Sequence, residues 1–134
     1  MKVQLAFYKG SGDWTDKAIR LWTRSKYSHV ELVVDDMWYS TSPRDMKVRK
    51  KLIVPKEGNW DFVEVNADIT AVYKLFFVTE GKEYDWKGIL LSQLFPFNKH
   101  DKNKWFCSEW CAEALGYENS NRFSPGKLYK EVTK

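Results

Sequence analysis

The segment YSHVELVVDDMWYSTS, Tyr27 to Ser42, leaves this chain few choices of fold. A run rich in β-branched residues, two aspartates and an aromatic run form the pattern of two strands joined by a tight turn. Successive strand side chains point to opposite faces of a sheet, so His29 and Glu31 share one face. If the Asp35–Asp36 turn is tight, Val34 pairs with Met37 and Glu31 falls opposite Ser40. Ser40, and Ser42 beside His29, then lie on that same face.

Other strands are legible around this hairpin. KVQLAFY, Lys2 to Tyr8, predicts a first strand with Val3, Leu5 and Phe7 on one face, and WDFVEV, from Trp60, a further one. GSGD breaks the first strand, and Asp13 is placed to cap a helix through WTDKAIRLWTRS, with Asp16 near the positive end of its dipole. DITAVYKLFFVTE, Asp68 to Glu80, predicts a helix through Ile69, Val72, Leu75 and Phe76, ended by Gly81. YDWKGILLSQLF predicts a short helix stopped by Pro96, and FNKHDKNK a loop. Repeats, low-complexity runs and linkers are absent. The expectation is therefore one α+β domain over residues 1–134: a small, mainly antiparallel sheet with helices packed on it.

The net charge of +4 and a pI near 9.0 make the surface mildly basic, and one stretch carries much of this. RDMKVRKKLIVPK holds six cations, Arg44, Lys47, Arg49, Lys50, Lys51 and Lys56, against Asp45. It reads as a basic loop or irregular edge. Such a run either attracts an anionic polymer, lipid headgroup or nucleic acid, or is a solvated hairpin edge protected from aggregation by lysine. No nucleic-acid-binding signature accompanies it, and no nucleic-acid partner is expected. The apolar run at the N-terminus is too short for a signal peptide, and none approaches the roughly 18 residues of a membrane span. Synthesis in a cytoplasm is expected, with the site of action unread. Seven Trp, seven Tyr and eight Phe imply a bulky core or an exposed aromatic groove.

KWFCSEWCAEALGY, Lys104 to Tyr117, contains both cysteines of the chain. A helix starting near Cys107 puts Cys107, Trp110, Cys111, Ala114 and Leu115 on one stripe, leaves Glu109 and Glu113 outside it, and ends at Gly116. Cysteines at i and i+4 on a helix rarely suit the disulfide dihedral, so free thiols are expected. The pair supplies only two of the four ligands a structural zinc wants. His29 lies in a strand and His100 in a charged loop, so no metal or cofactor is expected. The redox spacing is CxxC, not CxxxC. Two buried core cysteines are the competing reading, because free Cys is among the most buried residue types.

Position separates the two thiols. Cys107, at the helix N-terminus, meets unpaired N–H groups and the positive dipole end, which favour thiolate. The backbone N–H groups of Cys107 and Ser108 could hold an oxyanion. Cys111, a turn further in, reads as core. His29 is the candidate base, with Glu31 and Ser40 near enough to fix its tautomer. The competing reading of His29 is a satisfied structural residue.

YSHVELVV early, GKEYDW in the middle and WFCSEW late resemble the NlpC-type cysteine peptidase superfamily, in its circularly permuted papain-like branch. That branch includes YiiX-like and YaeF-like proteins and lecithin retinol acyltransferase. The resemblance runs from about Phe7 to Leu128, and SPGKL is similar to the branch's closing segment. It implies Cys107 as nucleophile, His29 as general base and then acid, and Glu31, or else Ser40, as the residue orienting His29. Tyr84 is implied as a substrate contact. The implied activity is a thiol hydrolase cutting amide bonds, with peptidoglycan stem peptides the leading substrate. Lipid acyl transfer, served by Trp38, Trp60 and Trp86 at a membrane surface, and a non-catalytic module binding a host protein are the alternatives. The small size resembles bacteriophage-encoded members, and a monomer acting on a peptide-like or acyl substrate is expected.

Overall fold

The Asp35–Asp36 turn is tight because both residues adopt positive φ, 48° and 68°, the twist that a two-residue hairpin loop requires. Aspartate enters this region more readily than most residues. The turn fixes strand β2 (His29–Val34) antiparallel to β3 (Met37–Thr41) with Val34 opposite Met37, the register expected from the sequence. The computed structural model describes residues 1–12, 14–42, 44–85 and 104–134. Within them β1 (Lys2–Tyr8) pairs with the other edge of β2, β5 (Trp60–Asn66) with β1, and β4 (Val48–Leu52) with β3. The result is a five-stranded antiparallel sheet in the order β4-β3-β2-β1-β5.

The register sorts side chains into two faces. Val3, Leu5 and Phe7 share the inner face with Val30, Leu32, Val34 and Tyr39, all buried. Helix α1 (Trp14–Thr23) connects β1 to β2, and α2 (Ile69–Thr79) follows β5. Asp68 caps α2, its carboxylate accepting the N–H groups of Thr70 and Ala71. Helix α3 (Cys107–Ala114) lies against β2 and β3. Its Trp110 is fully buried, lies parallel to Tyr39 at a ring separation of 6.3 Å, and donates its indole N–H to Thr79 Oγ1 at 2.9 Å. One side chain thus locks α3 to both the sheet and α2. Gly116, at φ 86°, follows the end of α3 where a left-handed residue is needed.

Several expectations need correction. The basic segment is not an irregular loop: Val48–Leu52 is a regular edge strand whose first two residues are buried. Tyr84 does not begin a helix; it sits in strand β6 (Glu83–Tyr84), which pairs in parallel with β7 (Lys104–Trp105). Lys104 is thus strand, not loop. SPGKL opens helix α4 (Pro125–Val132), with Ser124 as its cap and Pro125 at its first position. Glu109, placed outside the apolar stripe of α3, is buried and accepts the N–H of Phe106 at 3.3 Å. Asp13 as a cap, the helix stopped by Pro96, His100 and Trp86 fall outside the described residues.

Candidate active site

The outer face of the sheet carries the site. His29 pairs with Tyr8 and Glu31 with Ala6, while Ser40 on β3 pairs with Arg49 on β4. Alternation therefore brings His29, Glu31, Ser40 and Arg49 to one face from three strands. His29 Nε2 contacts Glu31 Oε2 directly. Glu31 is wholly buried, and both its oxygens accept from Arg49, Nη1 to Oε1 at 2.6 Å and Nη2 to Oε2 at 2.7 Å. Arg49 Nε in turn donates to Asp45 Oδ2 at 2.8 Å.

This connectivity explains how a carboxylate survives beneath the sheet's surface. An unpaired buried charge costs several kcal/mol, whereas the bidentate guanidinium fork meets both oxygens at once. Burial alone would raise the Glu31 pKa, but His29 and Arg49 outweigh it and hold the carboxyl below its ordinary range. Burial likewise opposes charge on His29, yet the adjacent Cys107 and Glu31 raise its pKa to about 9. Asp45, partly buried, is drawn down to about 2 by Arg49, Ser42 and Lys51.

Cys107 closes the chain at the other end. As the first residue of α3 it is held against the sheet, close enough to His29 for the two side chains to interact electrostatically. The structure thus places Cys107 near His29, which in turn contacts Glu31. The backbone N–H groups of Cys107 and Ser108 lie in the first helical turn, which has no intrahelical acceptors. Ser108 Oγ is committed to the Phe123 carbonyl at 2.6 Å. Cys111 behaves as core: it is buried, sits 3.8 Å from the Val30 carbonyl, and burial pushes its thiol pKa well up. Both cysteines are free thiols.

Two expected participants are placed differently. Ser40 shares the face but not the contact: its hydroxyl donates to the Val30 carbonyl at 2.7 Å, the same carbonyl that Cys111 approaches. Ser42 lines the cleft with His29 but pairs with Asp45 at 3.0 Å. Tyr84 is buried near Cys107, and burial raises its phenol pKa.

Arg49, Asp45, Asp16 and Arg44 were not foreseen as site residues. Asp16 is buried, accepting from Ser28 Oγ and from Arg44 Nη2, each at 2.8 Å. The signal for Arg49 lay in VRKKL, where Val48, Lys50 and Leu52 alternate with Arg49 and Lys51. Taken as a strand, it places Arg49 beside Ser40; taken as a basic loop, it places Arg49 in water.

A cleft of ≈ 210 Å³ opens over His29 and Glu31. Its wall does not extend to Cys107, which is buried. Among the described residues no group of three or more His, Cys, Asp or Glu is placed to hold a metal ion. No described helix is long and apolar enough to cross a membrane. No family model, curated protein or solved structure matches the chain.

Proposed function

We propose that the chain is a cysteine hydrolase of the permuted NlpC type, cutting amide bonds in peptidoglycan stem peptides. The observation that carries this reading is the series Cys107, His29, Glu31: a thiol at a helix N-terminus beside an imidazole that contacts a buried carboxylate. The order of the elements, histidine strand first and cysteine helix late, fits the permuted branch, and such an assembly is recognised by geometry rather than chain order. The substrate class comes from the resemblance alone.

The chemistry follows from the roles. With Nε2 turned to Glu31 and a pKa raised to about 9, His29 stands protonated beside Cys107, and the sulfur attacks the amide carbon as the thiolate paired with that imidazolium. The backbone N–H groups of Cys107 and Ser108 receive the oxyanion. His29 passes its proton to the nitrogen as the C–N bond breaks, leaving a thioester. Water then attacks that thioester, His29 takes its proton, the carboxylic acid departs and the thiol is restored.

The test is alkylation by iodoacetamide as a function of pH, followed by intact mass and peptide mapping. Cys107 is expected to react faster than Cys111 and to lose that advantage in His29→Ala. On a stem peptide, Cys107→Ala is expected to abolish cleavage while Cys111→Ala keeps it; equal activity in both refutes the assignment.

The burial of Cys107 favours a second reading, a non-catalytic binding module on the same fold. A slow Cys107 in folded protein, with or without His29, decides for that reading. Of the aromatic residues named for the lipid acyltransferase reading, Trp38 is buried and packs edge-on against the half-buried Trp60 at 5.0 Å.

A further inference from the structure

The two edges of the five-stranded sheet are finished differently. On β4 the end at Val48 is already paired: its carbonyl accepts from the Gly81 N–H at 2.9 Å, and its N–H donates to the Lys82 carbonyl at 2.8 Å. The rest of that strand carries Arg49, Lys50 and Lys51, and lysine on an edge guards against further pairing. Strand β5, WDFVEVN, has no lysine, arginine or proline, and its register with β1 runs from Trp60 to Asn66 without a bulge. Asp61 does not guard it, because one carboxylate oxygen accepts from Lys9 Nζ and the other from the Tyr27 hydroxyl.

Register decides which backbone groups of β5 point outward. The Ala67 N–H donates to the Met1 carbonyl and the Lys9 N–H to the Asn59 carbonyl, each at 2.8 Å. Bonded and non-bonded pairs alternate along an antiparallel ladder, so Val65, Val63 and Asp61 are the residues that bond β1. Trp60, Phe62, Glu64 and Asn66 therefore turn their N–H and C=O groups to the open edge. Among the described residues none meets these groups. Their side chains share the outer face with Tyr8 and Trp38; Phe62 is 45% exposed and meets Trp38 edge-on at 6.0 Å.

We propose that β5 is a homodimer edge, pairing antiparallel with β5 of a second copy about a two-fold axis at Val63. This register sets Trp60 opposite Asn66 and Phe62 opposite Glu64 of the second copy, with Val63 opposite itself. Four facing pairs, each exchanging two hydrogen bonds, make eight. Centring on Glu64 instead would oppose like charges, and centring on Phe62 would leave Asn66 unpaired. A second copy fits this edge because the strand meets itself over its full length with no like charges opposed, and both strands are already extended, so little ordering is required. The joined sheet keeps both His29 clefts on one side, since facing residues of a ladder share a face. The dimer stands in place of the monomer expected from the sequence and does not depend on the chemistry at Cys107.

Sedimentation equilibrium over a concentration series reads the association directly. Wild type is expected to dimerise, and Glu64→Pro to raise the dissociation constant about thirty-fold, the loss of two net hydrogen bonds per dimer. The Glu64 N–H faces away from β1, so proline is tolerated there and circular dichroism should keep its wild-type form. Oxidation of Val63→Cys reads the register: across the axis Val63 forms a non-bonded pair, with Cα atoms about 4.5 Å apart and within disulfide reach. Non-reducing gels should show a linked dimer for Val63→Cys but not for Asn66→Cys, which faces Trp60, nor for wild type with its two buried thiols. If Glu64→Pro fails to fold, the cysteine variants decide alone. A wild-type chain that stays monomeric up to about 1 mM overturns the proposal. A dimer that Glu64→Pro leaves intact, or that Val63→Cys does not cross-link, places the contact elsewhere and overturns it too.

Discussion

The two faces of the five-stranded sheet share the same strands and are held by different physics. On β2, Val30, Leu32 and Val34 turn inward, where α3 covers them and Trp110 stacks on Tyr39. One residue away along the same strand, His29 and Glu31 turn outward into a chain of buried charge that ends at Asp45. Burial of apolar area is non-directional, so the inner face tolerates exchange among side chains of similar volume. Buried charge is directional and needs every partner in place. The lesson is that the sheet divides its work: one face supplies cohesion, and the other positions titratable groups at a cost the first offsets.

The sharpest way to break that division starts on the inner face. Trp110→Ala removes the fully buried indole and its bond to Thr79, and should lower stability by about 3–5 kcal/mol in urea unfolding. On the outer face, Glu31→Gln leaves Arg49 without its main partner. A loss of about 3 kcal/mol is expected, the lower part of the range for a broken buried pair, because Asp45 still holds Arg49 Nε. The double variant Glu31→Leu/Arg49→Met should recover at least half of that loss, since no guanidinium is then buried alone. Additive losses in the double variant would mean that the outer face is held by packing like the inner one.

pH separates the faces next. His29 has a folded pKa of about 9 against roughly 6.5 unfolded, a raised value. Its contribution is therefore full below pH 6.5 and is lost as pH climbs through 9. The loss should be on the order of 2–3 kcal/mol across that window, and His29→Gln should flatten it. Glu31, with its pKa held down, acts with the opposite sign: its share is present above about pH 4.5 and disappears on acidification. Trp110→Ala should shift the whole stability curve down and leave both slopes in place.

The same contrast explains what could be read from the sequence. The inner face was legible because alternation of apolar residues in KVQLAFY and HVELVV is the direct record of burial. The His29–Glu31 phase followed from the same alternation, and Cys107 from its place before an apolar helical stripe. Arg49 was not legible, because a buried arginine within RKK is indistinguishable from a solvated one until Glu31, on β2, is known to face it. Glu109 was missed for a related reason: a helical wheel sorts side chains by direction and overlooks a carboxylate that bends back to cap its own helix. Charge is ambiguous in sequence because burial depends on its partner, and partners are matched only by tertiary structure.

The smallest predicted effect tests whether burial, rather than charge itself, distinguishes the outer face. Lys2 and Glu64 form an ion pair at 3.4 Å with side chains 72% and 60% exposed, far along the sheet from Tyr8 and His29. Solvent screens such a pair, and holding two long side chains in place costs entropy. Lys2→Ala should therefore change stability by less than about 1 kcal/mol, and the change should shrink further in salt. A loss as large as that of Glu31→Gln would mean that the sheet's charges act through a shared field along its length. A negligible loss locates the energetic weight in the few charges that lie out of water, among them the Glu31 that contacts His29.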